Sequence, residues 1–264
     1  INAEIMGAED TVWETETIFN CKFPGEINTV YKHLGTRGPA VQQSATAKCE
    51  EVLTNETGTF EFTVSETAGI VKAYEAVTQY CGWHAIEAGK TMGLFPYGEP
   101  NDDCPAIFRN GKVDRDVVIP TYPNAGHINV QRFEYLDQHD AEDATKLQNR
   151  RDLSYAVQTE TRQAVLDLIY KAVEITGQKN VVLSGGYGLN CVANYWYLDK
   201  LKKDGINLFV EPVSNDGGTA IGAALMVYHH DFNNASAPQK IDNLYYGPDY
   251  NFTTDEIIST SDKY

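Results

Sequence analysis

The chain has 264 residues, 42% of them hydrophobic, which is enough for one large or two modest packed domains. Its 37 acidic against 21 basic residues give a formal net charge of −16. That balance argues against a nucleic-acid-binding surface and against attraction to anionic membranes. No apolar run approaches the roughly eighteen residues of a membrane span, and INAEIMGAED lacks the basic-then-apolar pattern of a leader. The first residue is Ile1 rather than Met, so this start is expected not to be the native one. Cys21, Cys49, Cys81, Cys104 and Cys191 are an odd number without a close C-x-x-C pair, which predicts free thiols in a reducing, cytoplasmic setting. Glycosylation-type triplets at Asn55, Asn234 and Asn251 lack a secretory context and read as chance.

In chain order, residues 1–64 alternate short apolar runs with Gly, Thr and Asn, as in ETETIFNCKF and GTFEFTVS, and predict β-hairpins or edge strands. Ile70, Val71, Tyr74, Val77 and Tyr80 then recur at helical spacing, with Ser65 and Glu66 as start residues and Gly82 as the stop. The following HAIEAGKTMGLFPYGEPND is dense in Gly and Pro and predicts an ordered loop with one helical turn. Residues 99–150 are polar and mixed, and predict surface-lying irregular structure and strands. The acidic run Asp137 to Asp143 lacks the alternation of a calcium loop and reads as a solvated face. From Arg151 to Gly177 an apolar stripe through Leu153, Val157, Val165, Leu168 and Ile169 predicts a long helix. An α/β order follows: strand 180–183, helix 189–203, strand 207–210, helix 217–229. The tail from Asp231 predicts a linker with no packed element, leading to something beyond it.

Chemistry concentrates in three loops. In SGGYGLN, Gly185 and Gly186 follow a strand and Asn190 sits in the first turn of the next helix, so backbone N–H groups there can hold a phosphate. A tight strand-to-helix connection needs glycine for steric reasons as well. In SNDGG, Asp216 lies at the mouth of a strand-to-helix loop, where a carboxylate can hold a metal or cap the helix. In EAGKTMGLFPYG, Glu87 and Lys90 can meet a ligand or pair with each other at the surface, and Gly89, Gly93 and Gly98 permit close backbone approach. The six histidines carry no paired ligand spacing, and His229 and His230 read as a helix-end or solvent pair.

Taken together, EAGKTMGLFPYG, LSGGYGLNCVAN and VEPVSNDGGTAIGAAL, in that order, resemble the signature segments of the nodulation- and antibiotic-type O-carbamoyltransferases. The likeness covers roughly residues 65–98 and 178–250, including YYGPDY at 245–250, with a looser fit of IMGAEDTVWETETIF. It implies an α/β chain that is part of an actin-like ATPase (ribonuclease H-like) fold, with mixed sheets and flanking helices. Residues 1–150 would be the end of a first lobe with a loop-rich, nucleotide-contacting insert, and residues 151–264 a second lobe with a C-terminal linker. In the family a YrdC-like domain makes carbamoyladenylate from carbamoyl phosphate and ATP, and this fold passes the carbamoyl group to a hydroxyl of a small-molecule acceptor. By the same resemblance, Gly185, Gly186 and Asn190 would contact the adenylate. Asp216 would bind a divalent metal, typically iron, and Glu87, Lys90 and Met92 would border the nucleotide pocket.

The two histidines that complete the family's metal site and the YrdC-like domain are missing from this sequence. The chain therefore looks like the second half of the transferase domain, with an incomplete site that needs further polypeptide. Tyr187 stands where the family usually has a small apolar residue, and is expected to fill part of the pocket or stack on a base. A half-domain is also expected to expose an apolar face, which favours a homodimer. Two alternatives stay open: a tRNA threonylcarbamoyl transferase-like protein, against which the acidic charge counts, and a non-catalytic nucleotide-binding half-domain. Acceptor specificity would lie in irregular segments such as residues 99–150.

Overall fold

The computed structural model describes residues 12–23, 26–36, 43–50, 57–137, 144–231 and 251–261. Asn55, Asn234, His139, most of the acidic run from Asp137 and the YYGPDY segment lie outside them. The fold is mixed α/β. It opens with the expected strands: β1 (Val12–Lys22), β2 (Glu26–Thr36), β3 (Gln43–Glu50) and β4 (Thr57–Ser65), in the sheet order β1-β2-β4-β3. β1 and β3 pair antiparallel with β2 and β4, whereas β2 and β4 run parallel, with His33 opposite Thr63. Phe60, Phe62 and Val64, two residues apart, turn to one buried face with Leu34, as strand periodicity requires.

Helix α1 (Ile70–Tyr80) buries Ala73, Tyr74, Ala76 and Val77 and gives way at Gly82, whose φ of +91° suits only glycine. Its start corrects the sequence reading, because neither Ser65 nor Glu66 caps it. Gly69 is the N-cap residue, and the Ile70 N–H donates to Glu16 Oε1 at 2.6 Å, a carboxylate from β1.

The EAGKTMGLFPYG segment is more helical than its glycines suggest: a 3₁₀ turn (Ala85–Glu87), helix α2 (Ala88–Leu94) and a second 3₁₀ turn (Phe95–Tyr97) follow one another. A capping box explains this. The His84 N–H donates to Glu87 Oε2 at 2.9 Å while the His84 ring accepts from the turn that it opens. Among the three glycines only Gly98 serves a close approach, since a Cβ there would lie 2.0 Å from the Arg151 carbonyl oxygen. Gly98→Ala is therefore expected to cost at least ~2 kcal/mol in denaturant unfolding. Gly93→Ala, in open space within α2, is expected to gain up to about 1 kcal/mol, and equal effects at the two sites would contradict this packing.

Residues 99–150 were expected to hold surface-lying irregular structure and strands; short strands are present between 99 and 137, but part of that stretch is buried rather than surface-lying, and 144–150 open a helix. Two small hairpins, β5 (Phe108–Arg109) with β6 (Lys112–Val113) and β7 (Val118–Ile119) with β8 (His127–Ile128), bury Ile107, Val113, Val117, Val118 and Ile128. Asn110 and Gly111 both have positive φ, the geometry of a two-residue hairpin turn. These apolar residues stand singly or in runs of three between polar ones, too short for a helical or strand period to mark them. The long helix α3 (Ala144–Thr176) begins seven residues before the expected Arg151. It is the spine of the molecule: Leu153 and Val157 pack into the cluster around α1 and the hairpins, and Val165, Leu166 and Ile169 into a second cluster.

That second cluster sits under the parallel pair β9 (Asn180–Leu183) and β10 (Asn207–Val210) and helix α4 (Cys191–Lys203). The strands match the sequence reading residue for residue, and α4 starts two positions later than expected. Helix α5 (Asp216–Met226) follows and passes into a wide π-helical turn over Val227–Asp231. No α5 residue is buried, and Val182 and Phe209 on the outer face of β9 and β10 are 66% and 55% exposed. The tail was expected to carry no packed element. It forms a helix, α6 (Thr254–Ser261), capped by a Thr253 and Glu256 pair, though none of its residues is buried. Among the described residues no helix is long and apolar enough to cross a membrane.

Candidate functional site

The three chemistry-bearing loops close on one cavity of about 990 Å³. α1 contributes Val71, Tyr74 and Glu75 to it, and α2 contributes Gly89 and Met92. The loop after β9 contributes residues 184–187 with Leu189 and Asn190, and the loop after β10 brings Glu211 and residues 213–219. Met92, Gly185, Gly186, Asn190 and Asp216 are thus brought together from positions more than a hundred residues apart. Glu87 and Lys90 are not in the wall. They form an ion pair with each other on the outside of α2, and the Lys90 ammonium with the His84 N–H holds the Glu87 carboxyl below its ordinary range.

The glycines divide by physical role. Gly185 has φ +95°, which favours glycine, and at both Gly185 and Gly186 the space a Cβ would fill is empty. This leaves bare backbone at the cavity wall, the arrangement that lets a phosphate or acyl group approach N–H groups. Gly188 and Gly218 are packing glycines. A Cβ on Gly188 would meet Ser214 Oγ at 3.1 Å, and one on Gly218 would lie 2.2 Å from the Val213 carbonyl oxygen. The first contact shows that the two glycine-rich loops touch. Asn215, not Asp216, caps α5, accepting the Gly217 N–H at 2.9 Å, which leaves the Asp216 carboxylate exposed at the cavity edge.

Asn190 has a more internal role than the sequence suggested. As N-cap of α4, its Oδ1 accepts the Ala193 N–H at 3.0 Å. It also exchanges two amide bonds with Gln158 of α3, at 2.9 and 3.1 Å. Gln158 Oε1 further accepts the Tyr74 hydroxyl at 2.8 Å, so α1, α3 and α4 meet on one fully buried amide. Tyr187 points inward, edge-on to Tyr74 with ring centroids 5.9 Å apart, and its hydroxyl lies 2.9 Å from Thr161 Oγ1. Burial raises the pKa of both phenols, so they act as neutral donors. Gln158 and Thr161 were missed by sequence reading. The available signal was polar: Ser154, Gln158 and Thr161 recur at i, i+4, i+7 on α3, all fully buried.

Among the described residues, the charged side chains in the cavity wall are all acidic, namely Glu75, Glu211 and Asp216. Glu75 is paired with Lys72 at 2.8 Å. Among the described residues no group of three or more His, Cys, Asp or Glu side chains is placed to hold a metal.

With this geometry in hand, comparison with known proteins is specific. A family described as carbamoyltransferase N-terminus matches residues 44–225, which hold the whole cavity. The nodulation protein NolNO of Sinorhizobium fredii is 28% identical over 198 residues, covering 71% of this chain and 26% of that protein. An uncharacterized protein of Synechocystis is 32% identical over 199 residues, covering 70% of this chain and 31% of its own. The nodulation protein NolO of Bradyrhizobium diazoefficiens is 27% identical over 187 residues, covering 67% and 31%. The chain thus spans less than a third of the length of these relatives. Since the family match takes in more than half of the chain and all three loops of the cavity, the chain belongs to the carbamoyltransferase family.

Proposed function

We propose that this chain supplies the nucleotide-holding wall of a carbamoyl-transfer site. The cavity takes carbamoyladenylate, made from carbamoyl phosphate and ATP, and the carbamoyl group passes to a hydroxyl of a small-molecule acceptor. The observation that carries this reading is the closing of three distant loops on one cavity, with bare backbone at Gly185 and Gly186. The parallel β9 and β10, each running through a glycine-rich loop into a helix, suit one part of an actin-like ATPase fold. In the transfer the acceptor oxygen bonds to the carbamoyl carbon as the bond from that carbon to the phosphate oxygen breaks. AMP leaves with the bonding pair, and the hydroxyl proton goes to a base. The part assigned to this chain is to hold the adenylate between the two loops and to direct backbone N–H groups at the carbonyl and phosphate oxygens.

Among the described residues the donor set does not fit a metal. Asp216 offers one exposed carboxylate, short of the four to six ligands a divalent ion takes. In this reading an ion there draws its other ligands from polypeptide outside the chain. That incomplete donor set favours the second reading, a chain that binds nucleotide without transferring anything.

Gly186→Val tests the site, because its side chain enters empty space at an ordinary φ. ATP with magnesium, followed by calorimetry, is expected to bind the wild type and to bind the variant at least tenfold more weakly, with the unfolding midpoint unchanged. The chain joined to the further polypeptide that its relatives carry is then supplied with carbamoyl phosphate, ATP and a panel of hydroxyl acceptors. Transfer is expected there. Binding without any transfer would select the second reading, and absence of binding would sink both.

A further inference from the structure

Between the four-stranded sheet and the start of α1 runs a line of hydrogen bonds outside the nucleotide cavity. Ser65 Oγ lies 2.7 Å from His33 Nε2, and His33 Nδ1 lies 2.5 Å from Glu16 Oε2. The order Ser, His, Glu is that of a nucleophile relay, but the groups such a relay needs around it are already engaged. Ser65 is 3% exposed and its hydroxyl also bonds Thr67 at 2.9 Å. The amides at the start of α1 that would polarise a carbonyl are taken as well: the Gly69 N–H donates to the Tyr122 hydroxyl at 2.9 Å and the Ile70 N–H to Glu16 Oε1. The line ends as a helix cap. It is supplied across the fold, from β1 to a helix 54 residues further on. A Cβ on Gly69 would lie 2.7 Å from the Thr15 Cβ, so sheet and helix start are in close contact.

The cap bears on the site because the residues immediately after it, Val71, Tyr74 and Glu75, form one wall of the nucleotide cavity. We infer that Glu16, held by His33 and Ser65, is a positioning residue for that cavity, fixing the first turn of α1 from the sheet side. The inference rests on the reading that the cavity binds an adenine nucleotide. The titratable groups lining the pocket beside Glu16 are Tyr31 and His33 on β2, Glu61 on β4, Lys112 on β6, and Asp167 and Lys171 on α3, and the Tyr122 phenol also lies close enough to feel the carboxylate charge. Glu61 and Lys171 are paired with each other at 2.8 Å. Burial raises the Glu16 pKa, but the His33 bond and charge, the Thr15 hydroxyl and the Ile70 N–H outweigh it and leave the group below the ordinary carboxylate range. A depressed folded-state pKa means the cap is intact at neutral and mildly acid pH and is lost as pH falls below that range.

The test compares Glu16→Ala, Glu16→Gln and Ser65→Ala in this chain, by hydrogen exchange and by titration with ATP and magnesium. For Glu16→Ala, amide exchange over residues 70–73 is expected to rise at least tenfold while residues 193–196 of α4 stay unchanged, and the ATP dissociation constant to rise at least tenfold. Glu16→Gln keeps an oxygen for the Ile70 N–H and is expected within threefold of wild type at neutral pH, with the acid limb of its binding profile removed. A purely structural cap would move the unfolding midpoint and leave the ATP constant of the folded protein alone. If Glu16→Ala does not fold, Ser65→Ala is expected to show the same pattern at twofold to fivefold. Unchanged exchange at 70–73, or raised exchange with an unchanged ATP constant, overturns the inference. A wild-type chain that binds no ATP overturns the reading of the cavity, and the exchange pattern still decides whether Glu16 fixes α1.

Discussion

Asp152→Ala is expected to lower the unfolding free energy by about 3–5 kcal/mol, measured by denaturant titration. This carboxylate on α3 is 1% exposed and takes four hydrogen bonds. The Glu99 N–H and Gln148 Nε2 donate to Oδ1 at 3.1 and 2.8 Å, and Asn101 Nδ2 and the Tyr135 hydroxyl to Oδ2 at 3.0 and 2.7 Å. Truncation would leave several of these donors without a partner, at about 1–3 kcal/mol for each that stays buried. Burial raises the Asp152 pKa, but the Asn101, Tyr135, Glu99 and Gln148 bonds more than offset it and the group ends below its ordinary value. Its contribution is therefore present above the ordinary carboxylate range and lost as pH falls through the lowered pKa, so the variant should lose part of the wild type's acid sensitivity. Asp152→Asn should fall between the two, because its amide nitrogen confronts donors. A loss under 1 kcal/mol for Asp152→Ala would mean that the 99–101 segment is held by something else.

Asn190→Ala is expected to cost about 2–4 kcal/mol and to weaken ATP binding only as far as the cavity deforms. The sum has two parts: about 1 kcal/mol for the lost cap of α4, and the remainder for the Gln158 amide left with unmet groups in a fully buried position. Asn190→Asp separates them, since an aspartate still caps α4 but cannot return a donor to Gln158 Oε1. Gln158→Leu in the Asn190→Ala background should recover little of the loss, because it removes the unmet amide but strands the buried Tyr74 hydroxyl that donates to Gln158 Oε1. If Asn190 contacts the adenylate directly, the outcome reverses: ATP binding collapses while the unfolding midpoint barely moves.

Much of the second half was legible because its signals are local. β9 and β10 are short apolar runs closed by glycine-rich loops, and their boundaries follow from those residues alone. The three loops of the cavity were legible for the same reason. What stayed hidden depends on distant partners. The cap of α1 is Glu16, which no inspection of Ser65 and Glu66 could reveal. The burial of Ile107, Val117 and Val118 follows from hairpins folding under α1, in a segment whose composition is polar. Glu87 and Lys90 had the right chemistry for a phosphate, but their i, i+3 spacing on a helix joined them to each other first. Gln158 was hidden because its function is to hold Asn190, and a residue of that kind leaves only a polar gap in an apolar stripe.

The spine helix α3 has a mechanical consequence. At 1.5 Å per residue its 33 residues form a rod about 50 Å long. Asp152, which ties down the 99–101 loop, and Gln158, which ties down Asn190, are anchored on that rod less than two turns apart. A displacement of the helix at one anchor is passed to the other through fewer than two turns. The glycine-rich wall and the hairpin layer should therefore open and close as one cooperative body, and strain introduced at either end will be felt as a change in alignment at the other.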